Sequence, residues 1–208
     1  MAHYFYQQSF ITNRVKYELF RKEILMLFDK NNRFNLANLI TFGNIAAGLI
    51  AIHFIVNGDY FTAIVLAWIG GALDIADGKV ARKYNLSTEF GIQVDSYADF
   101  ISFVVMPSFL LYYALTEHVS ELTQLILGLI FIVYIISGLR RLIEFNMKSE
   151  EGEVAKFFEG VPTPLGAILL WILYLIFAYG LVSNPWIISV FVALIAWSLN
   201  SKLKIPHP

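Results

Sequence analysis

Six apolar runs dominate the chain, each about as long as a bilayer requires of a crossing helix. A hydrocarbon core about 30 Å thick needs about 20 mostly apolar residues at 1.5 Å of rise per residue. The runs fall at 35–56, 60–82, 88–115, 120–146, 162–182 and 184–201. Inside lipid every backbone N–H and C=O must find a partner within the protein, and runs this long and continuous satisfy that as helices. Composition agrees. Of 208 residues, 58% are hydrophobic and 15% charged, against about 25% charged in soluble proteins. A soluble domain of this size cannot bury so much apolar surface. The expected fold is an all-α integral membrane protein. Its six transmembrane helices occupy residues 35–208, behind an N-terminal segment of residues 1–34.

That N-terminal segment has its own pattern. Over 14–31, Tyr17, Phe20, Ile24, Leu27 and Phe28 share one helical face, while Glu18, Arg21, Lys22 and Asp29 lie elsewhere. The pattern predicts an amphipathic helix in the membrane interface, with packing on a partner chain as the other use. The segment lacks the basic-then-apolar layout of a cleaved signal peptide. Charge also sets the orientation. The fifteen Lys and Arg residues precede the first run, flank the second and fourth connections, or close the chain. The connections 57–59, 116–119 and around 183 have none. Lys and Arg concentrate on the cytoplasmic side, so both termini and the second turn are expected there, in the cell membrane. The absence of cysteine excludes disulfides and thiolate zinc sites. A net charge of −1 gives no basis for a nucleic-acid partner.

Against this background Asp74, Asp77, Asp95 and Asp99 stand out, flanking a turn near Leu86. Asp74 and Asp77 share a helix face by their three-residue spacing, and Asp95 and Asp99 by their four-residue spacing. Thr88 or Ser87 is the expected N-cap of the second helix, with Glu89 in its first turn. Counted from Leu86, the inner pair lies about 14 Å along the helices and the outer pair about 18–20 Å. Two antiparallel helices thus bring four carboxylates to one depth. Unpaired, they repel each other and lose hydration. Divalent cations resolve the conflict, and an oxygen-only donor set suits two Mg²⁺ or Mn²⁺ ions. A water-filled vestibule is the bland alternative. Gly78, Ala81 and Gly91 are small enough to admit a bulky diphosphate, though small residues also serve helix packing. Arg82 can hold a phosphate bidentately or anchor at the interface. Thr41 and Asn44 are polar positions within the first run, expected to face the bundle and contact a nucleotide or another helix.

Together Asp74, Asp77, Gly78, Ala81, Arg82, Gly91, Asp95 and Asp99 read D-x2-D-G-x2-A-R-x8-G-x3-D-x3-D. This resembles the signature of the CDP-alcohol phosphotransferase family. The resemblance implies a six-helix membrane enzyme, typically a homodimer, that moves a phosphatidyl or related group from a CDP-linked lipid to an alcohol and releases CMP. It implies that the four aspartates serve the metals, with Asp95 catalytic and Asp99 as general base. It also implies that Asp74, Gly78, Ala81, Arg82 and Gly91 seat the CDP group. The stretches "NLANLITFGNIAAGLIAI", "EFGIQVDSYADFISFVVMPSFLLYY", "SGLRRLIEFN", "FFEGVPTPLGA" and "SKLKIPHP" resemble the serine-using members of small bacterial and archaeal type. CDP-diacylglycerol and L-serine are then the expected substrates, with Arg141, Arg140, Ser96 and Asn146 toward the acceptor and Glu144 able to face its ammonium. The pattern departs from the family at Glu144, where a second Arg is usual, at Val104, where Gly is common, and at Thr163, where Ile is common. The remaining alternatives are another acceptor (glycerol 3-phosphate, inositol or inositol phosphate), an archaeal ether-lipid donor, and a divalent-metal transporter.

Overall fold

The computed structural model describes residues 16–150, 157–201 and 204–206. Residues 14 and 15 of the expected amphipathic helix, and Lys156 and Lys202, lie outside them. Helix α1 covers 16–27 and ends four residues earlier than the pattern predicts. The reason is local. Asp29 Oδ1 accepts from Asn31 N, Asn32 Nδ2 donates to Met26 O, and Asn32 Oδ1 accepts from Phe34 N. Short polar side chains take over the backbone groups that a further turn would need. Tyr17, Leu19, Phe20, Ile24 and Leu25 of α1 are exposed, and Phe28 meets Tyr84 edge-on at 5.0 Å.

Four long apolar helices follow: α2 (Leu36–Val56), α3 (Tyr60–Tyr84), a continuous helical stretch from Glu89 to Thr116, and α6 (Glu121–Glu150). Each is long and apolar enough to cross a membrane. The third stretch has three parts: α4 (Glu89–Asp99), a π-helical turn (Phe100–Val105) and α5 (Met106–Thr116). Pro107 has no N–H to give and its ring crowds the carbonyl four residues back. The wider π turn ends beside it, with Met106 N donating to Ile101 O. Helices α7 (Thr163–Ala178) and α8 (Pro185–Leu199) are apolar but have only 16 and 15 residues. Gly180, at φ 70°, ends α7 early, with Gly180 N and Leu181 N donating to Phe177 O and Ile176 O. Asn184 caps α8 through Trp186 N, and Pro185 opens it. One feature departs from the all-helical expectation. Strands β1 (Phe157–Glu159) and β2 (Lys204–Pro206) pair antiparallel, Phe158 opposite Ile205.

Two apolar clusters hold the bundle. Val104, Leu111, Phe131, Tyr134, Leu170, Val192 and Leu199 join the π turn to α5–α8. Ala51, Ile55, Ala63, Met106 and Leu110 join α2, α3 and α5. Close approach depends on small residues, as lipid-embedded packing requires. A Cβ on Gly48 would stand 2.8 Å from Ile101 Cγ2, and one on Gly138 2.6 Å from Val104 Cγ1. The large outward side chains Phe61, Trp68, Leu125, Leu129, Ile136 and Trp197 remain exposed, as a lipid-facing surface requires.

Candidate active site

The turn between α3 and α4 fixes the aspartates. Asn85 takes the left-handed conformation at φ 55°, and Leu86 N donates to Ala81 O. An asparagine tolerates that conformation better than most residues. Thr88 is the N-cap of α4, accepting from Gly91 N at 3.0 Å, with Glu89 in the first turn as predicted. Buried Asn35 donates to Leu86 O at 3.4 Å, pinning the turn to the start of α2.

Asp74, Asp95 and Asp99 each place a carboxylate oxygen within 4.8 Å of the others. Asp77 stands beside this cluster. Its three-residue step from Asp74 rotates it about 60° around α3, against about 40° for the four-residue step on α4. It is buried, and its Oδ2 has no hydrogen-bond partner among the described residues. Among the described residues no Lys or Arg is in ion-pair contact with any of the four, and Arg140 pairs instead with Glu144. Converging carboxylate oxygens, an orphaned buried one and no balancing side-chain charge fit a hard divalent cation. Asn44 lies behind the cluster. Its Nδ2 donates to Asp74 Oδ1 at 3.3 Å, and its Oδ1 accepts from Ser102 Oγ at 2.6 Å. It orients a carboxylate and is not among the residues lining the adjoining cavity.

That cavity, about 180 Å³, opens between α2, α3 and α4. Asp77, Gly78, Ala81 and Arg82 line it from α3, Gly91 and Asp95 from α4, and Thr41 from α2. A Cβ on Gly91 would stand 2.8 Å from Asn38 Oδ1 and 3.3 Å from Thr88 Oγ1. A larger residue there would have to push the Asn38 side chain aside. The Arg82 guanidinium folds back over Gly78, its Nη1 3.3 Å from where a Cβ would sit. Thr41 Oγ1 donates to Ala37 O, and its side chain lies beside Asp77.

The acceptor candidates divide. Asn146 Nδ2 donates to Ser96 Oγ at 2.7 Å, joining α6 to α4. Val104 lies against Gly138. Both spacings are eight residues, so α6 runs antiparallel beside α4 and the π turn, and Arg141 comes level with Ile101, about 3 Å of rise from Asp99. Arg141 is buried, with Nε donating to Val161 O at 3.4 Å. Arg140 points outward and holds Glu144 at 2.8 Å, its side chain 66% exposed. Glu144 is thus engaged on the outer face of α6.

The sequence profile of the CDP-alcohol phosphatidyltransferase family matches residues 34–200. The chain belongs to this family. It is 34% identical over 170 residues to the CDP-diacylglycerol–serine O-phosphatidyltransferase of Bacillus subtilis strain 168, covering 81% of this chain and 88% of that protein. It is 30% identical over 180 residues to the Methanocaldococcus jannaschii protein of the same name, covering 86% and 78%. A Helicobacter pylori (strain ATCC 700392 / 26695) protein, again of that name, is 32% identical over 133 residues, 64% of this chain and 54% of that longer protein.

The departures from the family pattern have local accounts. Val104 fills the space over Gly138, Glu144 pairs with Arg140, and Thr163 is buried in the first turn of α7. Sequence reasoning missed Asn35 and Asn38, both buried at the head of α2. A signal was available. Asn35, Asn38, Thr41 and Asn44 recur every three residues through an apolar run, and all four are buried. Ser102 lies within one of the stretches that carry the resemblance, and the structure gives it the hydrogen bond that holds Asn44.

Proposed function

We propose that this chain transfers the phosphatidyl group of CDP-diacylglycerol to the hydroxyl of L-serine, forming phosphatidylserine and CMP. The observation that carries the reading is the three-aspartate cluster opening beside a cavity lined by Asp77, Gly78, Ala81, Arg82 and Gly91. The names of the Bacillus and Methanocaldococcus relatives, similar across most of both chains, support serine as acceptor.

Asp74, Asp77, Asp95 and Asp99 are the residues that would hold two divalent ions, Mg²⁺ or Mn²⁺. Such ions neutralise a diphosphate and make phosphorus more open to attack. Gly78, Ala81 and Gly91 give the CDP group room against the backbone, and Arg82 meets a phosphate oxygen. Thr41 closes the far wall of that cavity. Asn44, held by Ser102, keeps Asp74 turned into the cluster. Asp99 takes the proton from the serine hydroxyl as that oxygen bonds to the lipid-bearing phosphorus; the bond from this phosphorus to the CMP oxygen breaks in line. Arg141 receives the serine carboxylate, a planar fork meeting a planar anion. Asn146 and Ser96 bound the acceptor side, and Arg140 serves the interface.

We place six spans in the cell membrane, α7 and α8 included, with both termini and the aspartate turn cytoplasmic, and the protein as a homodimer. The concentration of Lys and Arg at those ends supports the orientation.

The test is CMP release by the purified full chain with CDP-diacylglycerol, Mg²⁺ or Mn²⁺, and serine, inositol or glycerol 3-phosphate in turn. Serine alone should support turnover, and EDTA should abolish it until metal is restored. A diether donor in parallel separates lipid classes. Turnover with another alcohol overturns the serine assignment. No CMP from any alcohol, with Mn²⁺ flux into liposomes, overturns the enzyme reading.

A further inference from the structure

The α6–α7 connection and the C-terminal strand are far apart in sequence, and neither carries chemistry of its own. The structure joins them beside Arg141. Strand β1 pairs with β2, Phe157 opposite Pro206 and Glu159 opposite Lys204. Directly after β1, Gly160 has φ 81°, and a Cβ on it would stand 2.5 Å from Leu199 O and 3.0 Å from Ser201 O. Glycine is required there twice, by backbone conformation and by contact with the end of α8. Val161 N then donates to Ser198 O at 3.2 Å, and Val161 O accepts from Arg141 Nε at 3.4 Å. Asn200 Nδ2 donates to Ser137 O at 3.1 Å, about one turn before Arg141 on the same helix.

From this chain of contacts we infer that Gly160 and the C-terminal strand form a brace that positions Arg141 for the acceptor. Nε is the inner nitrogen of the guanidinium, so a fixed carbonyl on it sets the plane in which the fork presents itself. The carbonyl is fixed only because Gly160 lets the connection lie flat on the end of α8. The β1–β2 pairing then holds the connection from its other side. Gly160 is thus a positioning residue that acts through Arg141. The acceptor site is completed by a part of the chain more than sixty residues further along. Among the described residues, Gly160, Val161 and the end of α8 do not line the cavity beside the aspartates, so donor binding is independent of them.

The inference rests on the reading of Arg141 as the acceptor's anion partner, and its test keeps the two apart. Gly160→Ala and a variant ending at Ser201 are compared with the full chain by steady-state kinetics in both substrates and by thermal unfolding. Each should raise the KM for the acceptor about tenfold, with the KM for CDP-diacylglycerol within about twofold. Arg141→Ala should give a rise at least as large, and Gly160→Ala added to Arg141→Ala should add nothing, the signature of residues acting as one unit. The Ser201-terminated variant leaves Gly160 in place and keeps the test alive if Gly160→Ala fails to fold. Equal rises in both KM values, effects that add on the Arg141→Ala background, or an unchanged acceptor KM in Arg141→Ala overturn the inference. If another alcohol than serine releases CMP, only the serine assignment falls, and the same comparison with that alcohol decides the brace. If no alcohol releases CMP, both fall together.

Discussion

Asp99 sits at the end of α4, one residue before the π turn, with its carboxylate in the three-aspartate cluster. As general base it should be the most sensitive single position. Asp99→Asn should lower kcat by about 10²–10⁴-fold, the usual worth of positioned proton transfer, while still binding CDP-diacylglycerol. Near-full turnover with intact Mn²⁺ binding, followed by paramagnetic resonance, would remove it from that role. Gly91→Ala probes the cavity. The added carbon meets Asn38 Oδ1 at 2.8 Å, so the variant should lose about 1–3 kcal/mol of stability by overpacking. Its KM for CDP-diacylglycerol should rise, and thermal unfolding beside donor kinetics separates the two effects. The aspartates were legible in the sequence because charge in an apolar run is costly and their spacing is helical. Asn35 and Asn38 were not, because a polar residue in a span serves a ligand and a neighbouring helix equally well. Only their contacts with Leu86 O and with the space over Gly91 show that they shape the site.

At the scale of elements, most helix positions follow from apolar length, and the ends follow from caps. Thr88 was legible as an N-cap because its hydroxyl precedes an acidic first turn. The early end of α1 was not, because Asp29, Asn31 and Asn32 compete with the helix through bonds that hydrophobic periodicity does not register. The π turn was hidden for a similar reason. Pro107 signals a disturbance in the ladder, but whether a kink or a wider turn absorbs it depends on packing against Gly138 and Gly48. Helix α6 offers a direct contrast between neighbours. Arg140 and Glu144 form an exposed pair one turn apart, worth about 0.3–0.5 kcal/mol. Arg140→Ala should leave both KM values unchanged and barely move the melting temperature. Arg141→Ala, at a buried position, should raise the acceptor KM. Equal kinetic effects from the two would show that α6 contributes charge and not a placed group.

For the whole molecule, the bundle was readable in the sequence and the β1–β2 pairing was not. That pairing joins two three-residue strands across more than forty residues, and neither strand has an alternating pattern long enough to recognise. Orientation can be tested cleanly because the chain has no cysteine. Single cysteines at Lys83 and Ser87 should react with an impermeant maleimide only from the cytoplasmic face, and those at Asp59 and Ser183 only from the opposite face. The reverse pattern would invert the topology. The shortness of α7 and α8 has a consequence for the surrounding lipid. Their 16 and 15 residues reach about 24 and 22 Å, against about 30 Å of hydrocarbon. Where α7 and α8 cross as we propose, the bilayer beside them must thin, while α2 and α3, packed on each other, meet lipid of full depth. In vesicles of graded acyl length, the protein should therefore turn over faster in short-chain lipid than in long, with the donor at constant mole fraction. The enzyme would then respond to the thickness of the membrane that it helps to build.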